Sequence, residues 1–149
     1  MQESVVHVQF KKQQVDAIKK NILQLLKESG FLKNSQDQNL IEQKHVHCFS
    51  IVNQQQALAY VVISILDDEA EIFYIYVLPK NRQQGYGQRV LQKACDYCKT
   101  LKVKKIFLEL RQSNDKAYKL YLKNGFVDLL CRKNYYADGE DARVMQRYL

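Results

Sequence analysis

The sequence predicts an α/β chain in which a mixed, mostly antiparallel sheet is flanked by helices and contains one parallel crossover. Three observations predict it. Between residues 46 and 78, three runs rich in apolar, β-branched and aromatic residues follow one another across short polar turns, as consecutive antiparallel strands do. From residue 85 to 100 the apolar positions change to helical spacing, directly behind the last of those runs. A new apolar run, Val103 to Leu110, follows that helix, and a strand–helix–strand succession is how parallel neighbours are joined.

The elements can be justified in order. Val5 to Phe10 alternates and reads as a short first strand. Val15, Ile18, Ile22, Leu25 and Leu26 recur at helical spacing, so a helix is expected from Val15 to Lys27, with Gly30 as its stop. Residues 31–44 are polar, and a second short helix is expected near Asn39 to Lys44. Val46 to Val52 and Ala57 to Leu66 are strands joined by the polar turn 53–56, and Asp67, Asp68 and Glu69 turn the chain into a strand from Glu71 to Leu78. Pro79, the only proline, stands just past that strand, where the chain changes direction. A helix then runs from about Gly85 to Thr100, and Val103 to Leu110 is a strand. A last helix begins near Asn114 and ends at Gly125, where a left-handed glycine closes it. Phe126 to Lys133 and Ala142 to Leu149 are the final strands.

With 149 residues, 46% of them hydrophobic, the chain is long enough for one core, so residues 1–149 are expected to form a single domain. It has no apolar run of membrane-spanning length and opens on no charged-then-apolar leader, so a cytoplasmic protein without a membrane partner is expected. The net charge of +7 would suit an acidic ligand such as coenzyme A or RNA. The basic residues, however, are scattered over Lys11, Lys12, Lys19 and Lys20, then 99–105, then Arg132 and Lys133, which reads as solvated faces. Direct nucleic-acid binding is therefore not expected.

Cys95 and Cys98 have the spacing of a redox or zinc pair. Read as a helix, though, Gly87, Val90, Leu91, Ala94, Cys95 and Cys98 form one apolar stripe while Arg89, Gln92, Lys93, Asp96 and Lys99 lie opposite, so core packing accounts for both thiols. Cys48 and Cys131 complete no second pair, and His7, His45 and His47 have no metal spacing; no metal is expected.

The stretch carrying the most chemistry joins the strand ending Ile75-Tyr76-Val77 to the helix at 85–100: Arg82-Gln83-Gln84-Gly85-Tyr86-Gly87-Gln88. A strand, a turn with two glycines one residue apart and a helix N-terminus present backbone N–H groups to a phosphate. A Cβ at either glycine is expected to hold a pyrophosphate away from that backbone. Thirty residues later comes Leu108-Glu109-Leu110-Arg111-Gln112-Ser113-Asn114, followed by Leu120-Tyr121 and Asn124-Gly125-Phe126.

Taken together, these blocks resemble the GNAT superfamily of acetyl-CoA-dependent N-acetyltransferases over nearly the whole chain, and imply its acyl-CoA N-acyltransferase fold. The second half, with Arg132-Lys133-Asn134-Tyr135-Tyr136, Glu140-Asp141-Ala142 and Met145, is similar to the bacterial ribosomal-protein alanine N-acetyltransferases. The resemblance implies acetyl-CoA as co-substrate and the N-terminal alanine of a small-subunit ribosomal protein as acceptor. It implies that Ile75, Tyr76 and Val77 offer strand backbone to the pantetheine arm, that Arg82 through Gln88 wrap the pyrophosphate, and that Asn114 contacts the coenzyme near its thiol. It implies Glu109 as general base and Tyr121 as general acid.

The chemistry suits those residue types. An α-amino group with a pKa near 7.7–8.0 is largely protonated at neutral pH, and a carboxylate can take that proton. A tyrosine hydroxyl can protonate the departing thiolate. Asn114, Ala117 and Tyr121 fall on one helical face, leaving Leu120 for the core. Plainer readings stand beside these. Glu109 as an exposed strand residue or partner of Arg111, Tyr121 as a core aromatic, and Tyr135 and Tyr136 as either groove lining or edge packing are all compatible with the sequence. Two features depart from the family pattern. The chain has no tryptophan where the ribosomal enzymes carry a Pro-Trp-Ser-like segment, and Gln88 stands where an arginine is common, with Arg89 following. Acetylation of a small amine, a polyamine or an aminoacyl-tRNA by the same fold is the alternative function; a non-catalytic acyl-CoA- or RNA-binding module is the alternative of another class.

Overall fold

The computed structural model describes residues 3–11 and 16–149. Among these, seven strands form one sheet in the order β1-β2-β3-β4-β5-β7-β6. The strands are β1 (Ser4–Val8), β2 (Val46–Asn53), β3 (Gln56–Leu66), β4 (Glu69–Val77), β5 (Lys105–Arg111), β6 (Val127–Arg132) and β7 (Ala142–Tyr148). The helices are α1 (Ala17–Glu28), α2 (Ser35–Ile41), α3 (Tyr86–Thr100) and α4 (Asp115–Lys123). All neighbouring strands are antiparallel except β4 and β5, joined through α3. The strand expectations hold within a few residues at each end.

The helices differ more at their starts. Asp16 caps α1, its carboxylate accepting from the Lys19 N–H at 2.8 Å, so the helix begins at Ala17. Val15, where the spacing places the start, and Lys12 lie outside the described residues. The expectation of a helix near Asn39 to Lys44 is corrected: α2 is Ser35–Ile41. Asn34 sets it, its side-chain oxygen accepting from the N–H groups of Gln36 and Asp37 at 2.9 and 3.1 Å.

Two apolar layers sandwich the sheet. On one face Ile22, Leu25 and Leu26 of α1 and Ile41 of α2 pack against Cys48, Val52, Tyr60 and Val62. On the other, Val90, Leu91, Ala94, Cys95 and Cys98 of α3 and Tyr121 of α4 pack against Phe49, Ile51, Val61, Ile63, Ile72, Ile106 and Leu108. Strand β3, covered on both faces, is buried from Ala57 to Ile65. The stripe containing Cys95 and Cys98 is thus core, and burial pushes the Cys98 thiol up to about 12 and raises that of Cys95, so neither is ionised at neutral pH. Among the described residues no helix is long and apolar enough to cross a membrane.

One core contact carries a pH prediction. His7 on β1 and His47 on β2 meet with Nε2 and Nδ1 2.8 Å apart, and His7 stacks on Phe49. His47 is 8% exposed, and burial, then His7 and His45, lower its pKa to about 4. The unfolded chain, with an ordinary histidine near 6.5, binds a proton in the window between those values that the folded protein refuses. This contribution to stability is therefore present above pH 6.5 and is lost as pH falls toward 4, with a limiting slope of about 1.4 kcal/mol per pH unit for one such group. Thermal melts from pH 7 to 5 should show a falling midpoint, and His47→Gln should flatten the fall.

Candidate active site

The site is set by where two strands part. β4 and β5 pair in parallel only from Glu69↔Lys105 to Ile72↔Leu108. Beyond that, β4 stays with β3 to Val77 while β5 stays with β7 to Arg111. A bulge bends β4 at this point: Val62 pairs with Tyr74 and Ile63 with Ile72, leaving Phe73 unopposed. Ile75, Tyr76 and Val77 therefore have β3 on one edge and no strand on the other, so a ladder-forming backbone edge opens into the cleft. The carbonyl of Val77 is engaged by Arg82, whose Nε donates to it at 3.0 Å while its guanidinium lies over the Tyr76 ring at 5.4 Å.

The turn after β4 ends at the α3 N-terminus. A single 3₁₀ turn, Pro79–Asn81, is followed by extended Arg82, left-handed Gln83 (φ 61°) and left-handed Gly85 (φ 83°), the N-cap. No side chain caps the helix, and the Arg89 N–H to the Gly85 carbonyl, 3.1 Å, is the first rung of its ladder. The amides of Gly85, Tyr86, Gly87 and Gln88 are the donors this geometry leaves for an anion.

The protein around the two glycines makes different demands on them. Around Gly85 a Cβ would meet nothing within 4 Å, so the requirement there is the positive φ. At Gly87 it would meet Leu120 Cδ2 at 3.3 Å and Val77 Cγ2 at 3.8 Å, so the requirement is close packing of α3 on α4 and β4. Gln88 and Asn124 exchange amide hydrogen bonds, both 2.7 Å, which turns the Gln88 side chain toward the end of α4 and leaves its backbone N–H to face a ligand. Gln84 donates to the Lys80 carbonyl at 3.3 Å. Tyr86 and Arg89 are held by the Glu3 carboxylate.

On β5 the side chains of Ile106, Leu108 and Leu110 are buried, while Phe107, Glu109 and Arg111 take the opposite face. Glu109 lies one residue past the last β4–β5 pair, opposite Val144 of β7. Its carboxylate Oε1 is 2.9 Å from Nε of Arg132, the last residue of β6. Tyr135 sits beside it: hydrogen bonding to Glu109, then that residue's charge, hold the phenol above its ordinary value. The Tyr136 phenol is also raised, by burial first and Glu109 second. Arg111 is not the partner of Glu109; it pairs with Asp138 and Glu140 at 2.8 and 2.9 Å and lies under the Tyr136 ring at 4.2 Å. Ser113 N–H donates to Glu140 at 2.8 Å, so the β6–β7 loop is tied to the end of β5.

Tyr121 is 4% exposed, set edge-on against Phe126 with centroids 5.5 Å apart, and burial holds its hydroxyl proton well above the ordinary tyrosine range. It is the buried side chain of α4, with Leu120 and Ala117 partly buried beside it. Asn114 is the N-cap of α4, its Oδ1 accepting from the Ala117 N–H at 3.2 Å, which leaves its amide NH₂ for a ligand. On the face of β4 bearing Tyr74, an aromatic wall runs from Phe31 to Tyr74 and Tyr60, with centroids 5.6 and 6.1 Å apart. Phe31 lies in the polar 30–44 stretch that lacks the tryptophan, and nothing in the local sequence marks its stacking on Tyr74. Asp68 and Glu69 pair with Lys104 and Lys105, as a solvated turn does.

The sequence matches the acetyltransferase (GNAT) family over residues 19–126. The chain belongs to the GNAT family. This GNAT acetyltransferase is 34% identical over 124 residues to the [ribosomal protein bS18]-alanine N-acetyltransferase of Haemophilus ducreyi, covering 80% of this chain and 81% of that one. It is 33% identical over 124 residues to the Haemophilus influenzae enzyme of the same name, with 80% of each chain covered. Its fold matches that of the ribosomal-protein-S18-alanine N-acetyltransferase from Escherichia coli with a TM-score of 0.80, at 24% identity, over 97% of this chain and 94% of that one. A GNAT family acetyltransferase from Elizabethkingia anophelis with acetyl-CoA bound matches with a TM-score of 0.77, at 20% identity, over 97% and 98%. The GNAT protein described here is accordingly an N-acetyltransferase with acetyl-CoA as its co-substrate.

Proposed function

We propose that residues 1–149 act as one catalytic domain that acetylates the N-terminal α-amino group of a protein, the alanine of a small-subunit ribosomal protein. The observation that carries the proposal is the position of Glu109. The carboxylate stands on the open face of β5 immediately past the point where β4 and β5 part, beside the backbone edge of Ile75 to Val77. The acceptor class is supported by the names of the two Haemophilus relatives.

Acetyl-CoA supplies a thioester acetyl group and a thiol leaving group. In this reading Ile75, Tyr76 and Val77 present backbone to its pantetheine arm, and the turn from Arg82 to Gln88 presents N–H groups to its pyrophosphate. Asn114 offers its free amide near the thiol. Glu109 takes the proton of the acceptor ammonium, directly or through a water, making the amine nucleophilic. Tyr121, kept protonated by burial, donates a hydrogen bond and then a proton to the departing sulfur. The aromatic wall at Phe31 and Tyr74, with Tyr135 and Tyr136 across the cleft, lines the approach of an extended N-terminus.

The assay is coenzyme A release with mass-spectrometric detection of product. The acceptors are a peptide beginning with free alanine, the same peptide with a blocked N-terminus, and a panel of small amines and polyamines. Transfer to the free-alanine peptide alone is expected. Transfer only to small amines would keep fold and co-substrate and replace the acceptor. Tyr121→Phe keeps the ring packed against Phe126, so stability should hold while kcat falls by roughly 10²-fold; unchanged turnover would remove the acid role.

A further inference from the structure

Glu109 does not stand alone on its face. The β4–β5 register puts Glu71 opposite Phe107, and Glu109 is two residues on from Phe107, so the two glutamates share one face on neighbouring parallel strands. Glu71 makes no ion pair of its own among the described residues; its electrostatic partners are Glu109 and Arg132. Partial desolvation by the surrounding side chains first, and Glu109 second, raise the Glu71 carboxyl above its ordinary value, with Arg132 opposing. The other nearby cations are engaged: Arg111 by Asp138 and Glu140, Lys105 by Glu69. Glu109 is therefore faced by Glu71 from β4, Arg132 from β6, and Tyr135 and Tyr136 from the β6–β7 loop, with uncharged Val144 opposite on β7.

We propose that Glu71 and Arg132 are positioning residues for Glu109 that act with opposite electrostatic sign. Arg132 orients the base and favours its ionised form. A cation beside a carboxylate favours its ionised form and an anion beside it opposes this, so Arg132 and Glu71 set opposing fields at the Glu109 carboxylate. The inference rests on Glu109 being the base, and it gives Glu71, which forms no ion pair among the described residues, a function.

The test is the pH profile of kcat/KM with the free-alanine peptide. A limb belonging to the peptide's own amine cannot move with a change in the enzyme, whereas a limb belonging to Glu109 must. Glu71→Gln removes an anion and should shift the acid limb to lower pH by roughly half a unit. Arg132→Gln removes a cation and should shift it to higher pH by about one unit, with Arg132→Lys restoring its position. Glu69→Gln, a carboxylate on the same strand that pairs with Lys105, should leave the limb in place. The three substituted positions, Glu69, Glu71 and Arg132, are exposed, and thermal melts verify that each variant folds. Stationary limbs, movement in the same direction for Glu71→Gln and Arg132→Gln, or an equal shift from Glu69→Gln would overturn the proposal. Retained turnover in Glu109→Gln would instead overturn the base itself, so the two failures are separable.

Discussion

Glu109→Gln is expected to lower turnover with the free-alanine peptide by roughly 10²–10⁴-fold at pH 7 while acetyl-CoA binding is retained. The substitution keeps the size of the side chain and a hydrogen-bond acceptor for Arg132 Nε, and removes only the capacity to take a proton. The Glu109–Arg132 pair is partly exposed, with Arg132 52% accessible, so its loss should change stability by no more than about 0.5 kcal/mol. The deficit should also depend on pH. At pH 7 most of an α-amino group with a pKa near 7.7–8.0 carries the proton that Glu109 removes; at pH 9 most of it does not. The ratio of wild-type to variant rate should therefore shrink as pH rises from 7 to 9. A ratio that stays constant would mean that Glu109 holds the cleft in shape rather than accepting a proton, and an undiminished rate at pH 7 would exclude it from the chemistry.

The sequence makes the strands, α3, α4 and the phosphate turn legible because each rests on a local pattern: alternation, helical spacing, or a glycine at a helix end. What it leaves hidden comes from contacts between distant segments. Ile72 to Val77 reads as one uninterrupted strand, yet the bulge at Phe73, created by its register with β3, bends it away from β5 and opens the cleft. The start of α2 depends on a single cap, Asn34, inside a polar stretch with little apolar periodicity. His7 and His47 show no spacing of interest because they meet across β1 and β2, forty residues apart. Within the site, Glu109 and Tyr121 stand out through the blocks around them. The engagement of Glu109 by Arg132, in place of the nearer Arg111, depends on how β6 and its loop fold back across β7, and no local rule reports it. Gln88 belongs to the phosphate turn in sequence but hands its side chain to Asn124, because the first turn of α3 lies against the last turn of α4.

Gly87→Val should be the most damaging single change in the phosphate turn, for a reason that separates it from its neighbour Gly85. The Cβ alone would stand 3.3 Å from Leu120 Cδ2 and 3.8 Å from Val77 Cγ2, and the two further methyls of valine have to enter the same seam between α3, α4 and β4. Overpacking of this kind typically costs about 1–3 kcal/mol, and relief requires the α3 N-terminus to move off β4, carrying the amides of Gly85 to Gln88 with it. Displacing two such donors, at about 1 kcal/mol each, should raise the KM for acetyl-CoA at least roughly tenfold, with the acceptor KM less affected. Gly87→Ala gives a graded control. Its single Cβ touches the flexible end of Leu120, and alanine gains about 1 kcal/mol of helix propensity over glycine, so its stability should lie close to wild type. Gly85→Ala meets no atom at all and should lose only the roughly 1–2 kcal/mol of a left-handed alanine at φ 83°. Urea melts and acetyl-CoA kinetics on the three variants decide the matter. The ordering expected for acetyl-CoA KM is Gly87→Val far above wild type and Gly87→Ala near it. If Gly87→Val melts and binds acetyl-CoA as wild type does, the helix seam is not what holds these amides in place.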